Sequence, residues 1–207
     1  DLKPELNSIL LVVSDSVVKC VATDGFRLAE KTLSHNAFAT SIQGELKALI
    51  PLKTMQEAVR IFPNNEQVTL AFDENQVLFS SKDVTLISRL IDGTYPDYMA
   101  IIPRAFATEL VVEKEEFAAA IKLVSSFSGK TSDIALSLAE EEKSVEISAS
   151  NQLVGENRYR VALKKKKTED FSRVVFNWKY LLDAVRAMPE GGISLGFNGE
   201  GKPALLR

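Results

Sequence analysis

Few side chains in this sequence could carry out covalent or metal chemistry. It contains one histidine, His35, and one cysteine, Cys20. A single histidine in a polar stretch cannot build a histidine-based zinc site, and it leaves no base near a serine or cysteine nucleophile. Cys20 lies in a strand-like apolar pattern, which favours a small core residue over a nucleophile. The sequence therefore indicates no catalytic constellation, no metal site and no cofactor.

Two segments resemble binding motifs by composition only. Residues 196–201 read GFNGEG, but Pro203 and a strand pattern follow where a phosphate-binding loop needs a helix. A hairpin turn is the better interpretation. Residues 164–167 are four consecutive lysines after a predicted strand, which is more typical of a solvated loop than of a nucleic-acid site.

Basic residues recur with helical spacing. Lys53 and Arg60 are seven residues apart, so they share one face of a predicted helix. Lys179 and Arg186 repeat that spacing later in the chain, and Lys122 is a candidate for the same role on a third helix. Such faces could contact phosphates without reading bases, because backbone contacts carry no sequence information. The alternative is an ordinary solvated face whose basic side chains pair with neighbouring Glu57 or Asp183.

The most distinctive stretch is residues 22–29, which read ATDGFRLA. Asp24-Gly25 is the pair that best fills a two-residue type I′ turn, in which both central residues take positive φ. Strand-forming residues lie on both sides. The stretch therefore predicts a β-hairpin with strands over 17–23 and 26–33.

Short strands alternate with three helices along the chain. Helices are predicted over 52–62, 114–127 and 178–188, the third with Asn177 as its N-cap. The inward-facing residues are Leu52, Met55, Val59 and Phe62 in the first helix and Phe117, Ile121 and Val124 in the second. The other predicted strands are 9–14, 45–50, 67–72, 76–81, 84–90, 108–113, 133–139, 143–150, 157–164, 172–176, 193–198 and 203–207.

The chain repeats itself. KTMQEAVRIFP at 53–63 aligns with KYLLDAVRAMP at 179–189, and VTLAF at 68–72 aligns with ISLGF at 193–197. Chance similarity of two amphipathic helices is the alternative, but the coincident prolines and the matching strands favour two copies of one domain. Residues 94–104 have two prolines and no periodicity, so they indicate the link between domains at 1–103 and 104–207.

Bulk composition leaves function open. At 207 residues the chain can form two domains of about 100 residues. A net charge of −3 argues against gripping nucleic acid with the whole surface, but it permits one local basic face. No apolar run approaches the roughly 18 residues that span a bilayer, and no signal peptide is expected. A single cysteine is typical of a reducing compartment, so a cytoplasmic location without membrane contact is expected.

Four motifs, in order, closely resemble the bacterial DNA polymerase III β subunit family, the replication sliding clamps. They are ATDGFRLA at 22–29, IPLKTMQEAVRIF at 50–62, SRLIDGTYPDY at 88–98 and FNWKYLLDAV at 176–185. LKPELNSILLVV at 2–13 precedes the first motif at the spacing that the family shows. The resemblance covers nearly the whole chain, which is identified as a member of this family.

The resemblance implies an α+β fold with two copies of the DNA-clamp (processivity-fold) domain, in which helices cover one face of antiparallel sheets. Residues 1–103 would be most of the middle domain and 104–207 most of the last. It also implies that the first domain, the start of the middle domain, the final strand and the C-terminal tail lie outside this sequence.

The function implied is a processivity factor and not an enzyme. Family members form rings of two head-to-tail subunits, each with three similar domains, around duplex DNA. Topological linkage, not tight binding, keeps a polymerase on its template. The implied partners are duplex DNA, a second subunit, and polymerases, the clamp loader and repair proteins, which dock through short linear peptides. A β-rich peptide-binding adaptor that does not encircle DNA is the alternative function, and an enzyme is the third class.

Site residues follow from motif position. The family's peptide groove between the middle and last domains would include Leu6, Thr23, Gly25, Phe26, Arg27, Leu28, Pro96, Ile101, Asn177, Tyr180 and Pro203. The DNA-facing residues would be Lys53, Arg60, Lys122, Lys179 and Arg186. Phe127 would lie at the subunit interface, although it also continues the apolar stripe of its helix. Phe26 stands where the family often has His, and Ala100 where many members carry Arg.

Overall fold

The computed structural model describes residues 4–62, 67–139, 143–168 and 173–207. The chain divides into two compact units, unit 1 (Asp1–Pro96) and unit 2 (Asp97–Arg207). Each is described by itself, and the domain limits expected from the sequence stay a prediction.

Unit 1 contains two antiparallel sheets and the helix α1 (Leu52–Ile61). The first sheet has the order β3-β2-β1-β4 and the second β5-β6-β7. The strands are β1 (Ser8–Ser14), β2 (Val17–Thr23), β3 (Leu28–Ser34), β4 (Glu45–Pro51), β5 (Thr69–Phe72), β6 (Gln76–Ser81) and β7 (Val84–Arg89). A short 3₁₀ turn, Pro4–Asn7, leads into β1.

The apolar stripe of α1 differs from the prediction. Val59 is 77% exposed, whereas Ala58 is buried and Phe62 packs its ring 6.5 Å from that of Phe79. The inward line therefore runs through Met55, Ala58 and Phe62, which are three and four residues apart. The spacing of three, four and three residues predicted Val59 in this line, but Val59 is turned about 100° away from Ala58 around the helix.

Unit 2 contains two further antiparallel sheets and the helices α2 (Lys114–Ser125) and α3 (Trp178–Ala187), which pack against each other. The sheet orders are β11-β10-β9-β13 and β12-β8-β14-β15. The strands are β8 (Thr108–Glu113), β9 (Asp133–Leu138), β10 (Ser144–Asn151), β11 (Gly155–Ala162), β12 (Lys165–Thr168), β13 (Val174–Asn177), β14 (Gly192–Phe197) and β15 (Leu205–Leu206).

Helix α2 packs as the sequence predicted. Phe117, Ile121 and Val124 are fully buried among the strands and α3. The first residue of α2, Lys114, is also buried, and its ammonium lies 2.7 Å from a carboxylate oxygen of Glu190. Its backbone N–H donates to the carbonyl of Gly191. The start of α2 is therefore bound to the segment that follows α3 by an ion pair and a backbone hydrogen bond.

The four lysines at 164–167 do not form a simple solvated loop. Lys165, Lys166 and Lys167 belong to β12, which pairs antiparallel with β8 at the edge of the sheet. Backbone pairing with β8 overrides the local preference of a charge run for a loop. Their side chains are exposed, and lysines on an edge strand discourage pairing with other chains.

The two units share one arrangement. In each, a four-stranded sheet in the order third-second-first-fourth strand leads into a helix and then another strand. The architecture is therefore α+β, with two similar domains. Among the described residues, no helix is both long and apolar enough to cross a bilayer.

Candidate functional site

The hairpin between β2 and β3 is closed by four residues, not two. The last strand pair is Thr23 with Leu28, so residues 24–27 form the turn. Gly25 has a φ of +87°, but Asp24 does not take positive φ, which excludes the predicted type I′ turn. The reason is the Asp24 carboxylate, whose Oδ1 accepts the backbone N–H groups of Phe26 (3.0 Å) and Arg27 (2.9 Å).

Further hydrogen bonds hold this turn. Thr23 Oγ1 donates to the carbonyl of Arg27 (2.8 Å) and accepts the N–H of Gly25 (3.1 Å). The guanidinium of Arg27 lies 2.9 Å from Oδ2 of Asp24. Burial raises the pKa of the Asp24 carboxyl, but the hydrogen bonds and charge of Arg27 and Phe26 outweigh it and leave that pKa below its ordinary value. The turn is therefore ordered before any partner binds.

This ordered turn presents an apolar ring. Phe26 is 82% exposed, and a Cβ placed on Gly25 would meet no heavy atom within 4 Å. Leu28, at the base of the turn, is half-buried. A rigid backbone with an exposed aromatic ring is suited to contact an apolar side chain at little cost in conformational entropy.

The other predicted residues of unit 1 lie near this hairpin. Because Leu10 pairs with Val21, the same register places Ser8 opposite Thr23, so the turn that carries half-buried Leu6 lies at the hairpin end of the sheet. Tyr95 donates its hydroxyl to the carbonyl of Val21 (3.5 Å), and burial raises the pKa of that hydroxyl. This contact brings exposed Pro96 towards the end of β2.

In unit 2, two predicted residues lie at the start of α3, and the other two lie on different segments of the chain. Asn177 caps α3, since its Oδ1 accepts the N–H of Lys179 (3.0 Å), and Tyr180 lies in the first turn of that helix. Exposed Ile101 lies on a separate 3₁₀ turn, Tyr98–Ile101. Exposed Pro203 lies between β14 and β15.

The five predicted basic residues are all exposed on helices: Lys53, Arg60, Lys122, Lys179 and Arg186. Arg60 donates to Glu57 through Nε (2.9 Å), so the solvated-face alternative also holds for that residue. The ammonium of Lys179 lies 5.7 Å from the centre of the Trp178 ring. Lys122 and Lys179 belong to the two packed helices of unit 2.

Phe127 lies just beyond α2 and is half-buried against the core of unit 2. Leu123, four residues before Phe127, is also an exposed apolar residue, and the sequence analysis did not predict it as a surface residue. The signal was its position outside the buried stripe of Phe117, Ile121 and Val124. The neighbouring sheet ends in β11, an edge strand.

Among the residues that the structure describes, no group of three or more His, Cys, Asp or Glu side chains could hold a metal ion. Cys20 is partly buried, and burial raises the pKa of its thiol, which lowers its reactivity at neutral pH.

Comparisons with known proteins match the chain from end to end. Residues 1–97 match the family model for the DNA polymerase III beta subunit, central domain, and residues 99–207 match that for its C-terminal domain. The beta sliding clamp of Bacillus subtilis (strain 168) is 31% identical over 210 residues, which covers 100% of this chain and 54% of the relative. That of Staphylococcus aureus (strain N315) is 27% identical over 208 residues, with the same coverage.

Solved structures of sliding clamps have the same fold as this chain. The DNA polymerase sliding clamp from Bacillus subtilis has a TM-score of 0.90 at 31% identity and covers 100% of this chain and 54% of that one. A sliding clamp from Pseudomonas aeruginosa also has a TM-score of 0.90, at 24% identity, with 100% and 56% covered. The chain thus spans about half the length of these relatives. It belongs to the DNA polymerase III β subunit family, of which it carries the central and C-terminal domains.

Proposed function

We propose that this chain is part of a DNA sliding clamp, the processivity subunit of a replicative DNA polymerase, with no catalytic site of its own. The observation that carries the proposal is the end-to-end match to two consecutive domains of one family. The repeated fold supports it, since each unit presents exposed basic residues on a helix. The protein would act in the cytoplasm, on sequence-independent duplex DNA.

Contact with DNA would be loose. The chain is acidic overall, with a net charge of −3, so its field does not favour tight binding of a polyanion. A few exposed lysines and arginines on α1, α2 and α3 would neutralise a few phosphates and give weak, salt-sensitive contacts. Retention on DNA would then come from encirclement by the full-length ring.

Encirclement has a direct test. Full-length protein loaded onto nicked circular DNA should stay bound in high salt and be released when one cut makes the DNA linear. Equal release from circular and linear DNA would instead favour the β-rich adaptor that does not encircle DNA.

We further propose that partner proteins dock short linear peptides on a surface of each unit: the hairpin residues Thr23–Leu28 in unit 1 and the start of α3 in unit 2. In unit 1, the exposed Phe26 ring and half-buried Leu28 would contact apolar side chains, while Thr23 and Arg27 supply polar groups that orient a peptide backbone. In unit 2, Asn177 supplies a polar group. Tyr180 adds an aromatic ring with a hydroxyl, a combination common in binding sites.

Fluorescence anisotropy of a fluorescein-labelled peptide that carries adjacent Leu and Phe residues tests this docking. Weak saturable binding to residues 1–207 should be lost in Leu28→Asp and in Tyr180→Ala. Tyr159→Ala is the matched control, since Tyr159 and Tyr180 are 38% and 36% exposed, and it should bind normally. Circular dichroism must show that Leu28→Asp still folds, because a charge at a half-buried site can unfold a domain. Unchanged affinity in both folded variants would rule out the site.

A further inference from the structure

Three apolar side chains form a row on the face of the first sheet of unit 1 that is turned away from α1. Leu10 on β1 pairs with Val21 on β2 and with Leu49 on β4, and all three are buried. Side chains alternate between the two faces of a strand. The residues that follow two of them, Leu11 and Ile50, pack in the core cluster that includes α1, so the row lies on the opposite face.

Residues 91–96, here termed the strap, begin on this opposite face beside β4. The backbone N–H of Ile91 donates to the carbonyl of Leu49 (2.8 Å). A Cβ placed on Gly93 would lie 3.9 Å from Cδ1 of Leu49, so the backbone of the strap passes close over that side chain. The strap therefore covers one end of the buried row.

The other end of the strap reaches β2. Tyr95 donates its hydroxyl to the carbonyl of Val21, with 3.5 Å between the two oxygens. Strands β4 and β2 lie on either side of β1, which places them roughly 10 Å apart. The chain from Ile91 to Tyr95 is long enough to span that distance. The strap thus runs across the sheet and connects β4 with β2.

Val21 is the residue at which β2 loses its second neighbouring strand. Pairing between β1 and β2 ends at Leu10 and Val21, whereas β2 and β3 stay paired as far as Thr23 and Leu28. Strand β3 is the edge of the sheet, and most of its side chains are exposed. A segment with few buried contacts opens more easily than the core. The Tyr95 hydroxyl therefore bonds to β2 at the point where the hairpin extends beyond β1.

The side chain of Tyr95 is suited to hold this position. Burial raises the pKa of its hydroxyl, so the group stays protonated and can donate at neutral pH. The side chain has few rotatable bonds, so an ordered strap also fixes the hydroxyl. The distance of 3.5 Å is long for a hydrogen bond between oxygens. Loss of this bond should therefore loosen the hairpin without unfolding unit 1.

We propose that Tyr95 is a positioning residue for peptide docking: it holds the end of β2, and with it the turn at residues 24–27, in the conformation that presents Phe26. The inference rests on the proposed docking of peptides at this hairpin. An ordered turn loses less conformational entropy when a partner binds. Apparent affinity also falls with the fraction of molecules in the binding conformation. Tyr95 would thus set how tightly a peptide binds by acting through the hairpin.

The test compares this chain with Tyr95→Phe, which removes the hydroxyl and keeps the ring. Nuclear magnetic resonance measures hydrogen exchange at the backbone N–H groups of Gly25, Phe26 and Arg27, and fluorescence anisotropy measures affinity for the labelled peptide described above. Because a single hydrogen bond is lost, exchange at these groups should be about threefold faster and peptide affinity about threefold lower.

Two control variants separate positioning from general stability. Phe79→Leu alters the buried core of unit 1, so it should lower the stability of that unit in urea while local exchange in the turn and peptide affinity stay unchanged. Tyr159→Phe removes a hydroxyl from β11 in unit 2 and should change none of the three measurements. A purely structural role for Tyr95 would make Tyr95→Phe behave like Phe79→Leu.

The proposal is overturned if Tyr95→Phe leaves exchange in the turn unchanged, or if exchange rises and affinity does not fall. Failure of the docking proposal gives a different result. The unsubstituted chain would then bind the peptide no more tightly than Leu28→Asp does, while the turn would still exchange faster in Tyr95→Phe. That outcome would support the hold of Tyr95 on the turn and remove the peptide as its ligand.

Discussion

Replacing Gly196 by Ala should destabilise unit 2 through a steric clash. A Cβ at this position would lie 2.7, 2.8 and 2.9 Å from Cγ, Cδ2 and Cδ1 of Phe106. The Phe106 ring is buried, and the guanidinium of Arg207 lies over it. Gly196 itself is paired with Glu109 on one side and Leu205 on the other, so neither ring nor strand can move away freely.

The magnitude follows from two opposing effects. Overpacking a buried site costs about 1–3 kcal/mol. Replacing glycine by alanine at a position without positive φ stabilises by about 0.4–1 kcal/mol, because the unfolded chain loses freedom. The clash should prevail, with a net loss on the order of 1–2 kcal/mol in the free energy of unfolding.

Urea unfolding followed by tryptophan fluorescence measures this loss. Trp178 is the single tryptophan and packs against the core of unit 2, so its signal reports on that unit. Gly192→Ala is the control on the same strand: its Cβ would lie 3.6 Å from the Val111 side chain, an ordinary contact, and stability should be unchanged or slightly higher. Phe106→Leu should remove most of the penalty in a double-mutant cycle. Equal stability of Gly196→Ala and Gly192→Ala would refute the reasoning.

Three further expectations concern the cap, the ion pair and the interface. Asn177→Ala removes the side-chain cap of α3 and should cost unit 2 about 1 kcal/mol by the same urea assay; no change would mean that water replaces the cap. The hydrogen bond and charge of Lys114 hold the pKa of the Glu190 carboxyl below its ordinary value. The ion pair therefore stabilises the folded state fully above about pH 4.3, the ordinary pKa of a glutamate, and this stabilisation is lost as pH falls through the lowered pKa. Glu190→Gln should therefore lose less stability than the unsubstituted chain between pH 7 and pH 3, and parallel curves would contradict this. Sedimentation should find residues 1–207 monomeric and the full-length protein dimeric, with weaker dimers in Phe127→Glu, because a head-to-tail interface needs both complementary surfaces; a stable dimer of residues 1–207 would show that the interface is misplaced.

Several features could be predicted from the sequence because they depend on neighbours along the chain. The hairpin, the N-cap at Asn177 and the stripe of Phe117, Ile121 and Val124 are set by side chains within a few residues of one another. The type of turn could not be predicted, because Asp24 can either adopt positive φ or accept two N–H groups. Only the folded hairpin selects the second arrangement.

The motifs and the internal repeat alone determined the family, the fold class and the presence of two similar domains, since residue order carries that information directly. Tertiary structure decided which apolar residues are buried and which charged residues join a sheet. Val59 and Val185 occupy equivalent helix positions, yet only Val185 is buried, because α2 covers it. The lysines of β12 form a strand because β8 offers them backbone partners. Burial and strand pairing both require a second element, which a local sequence pattern cannot supply.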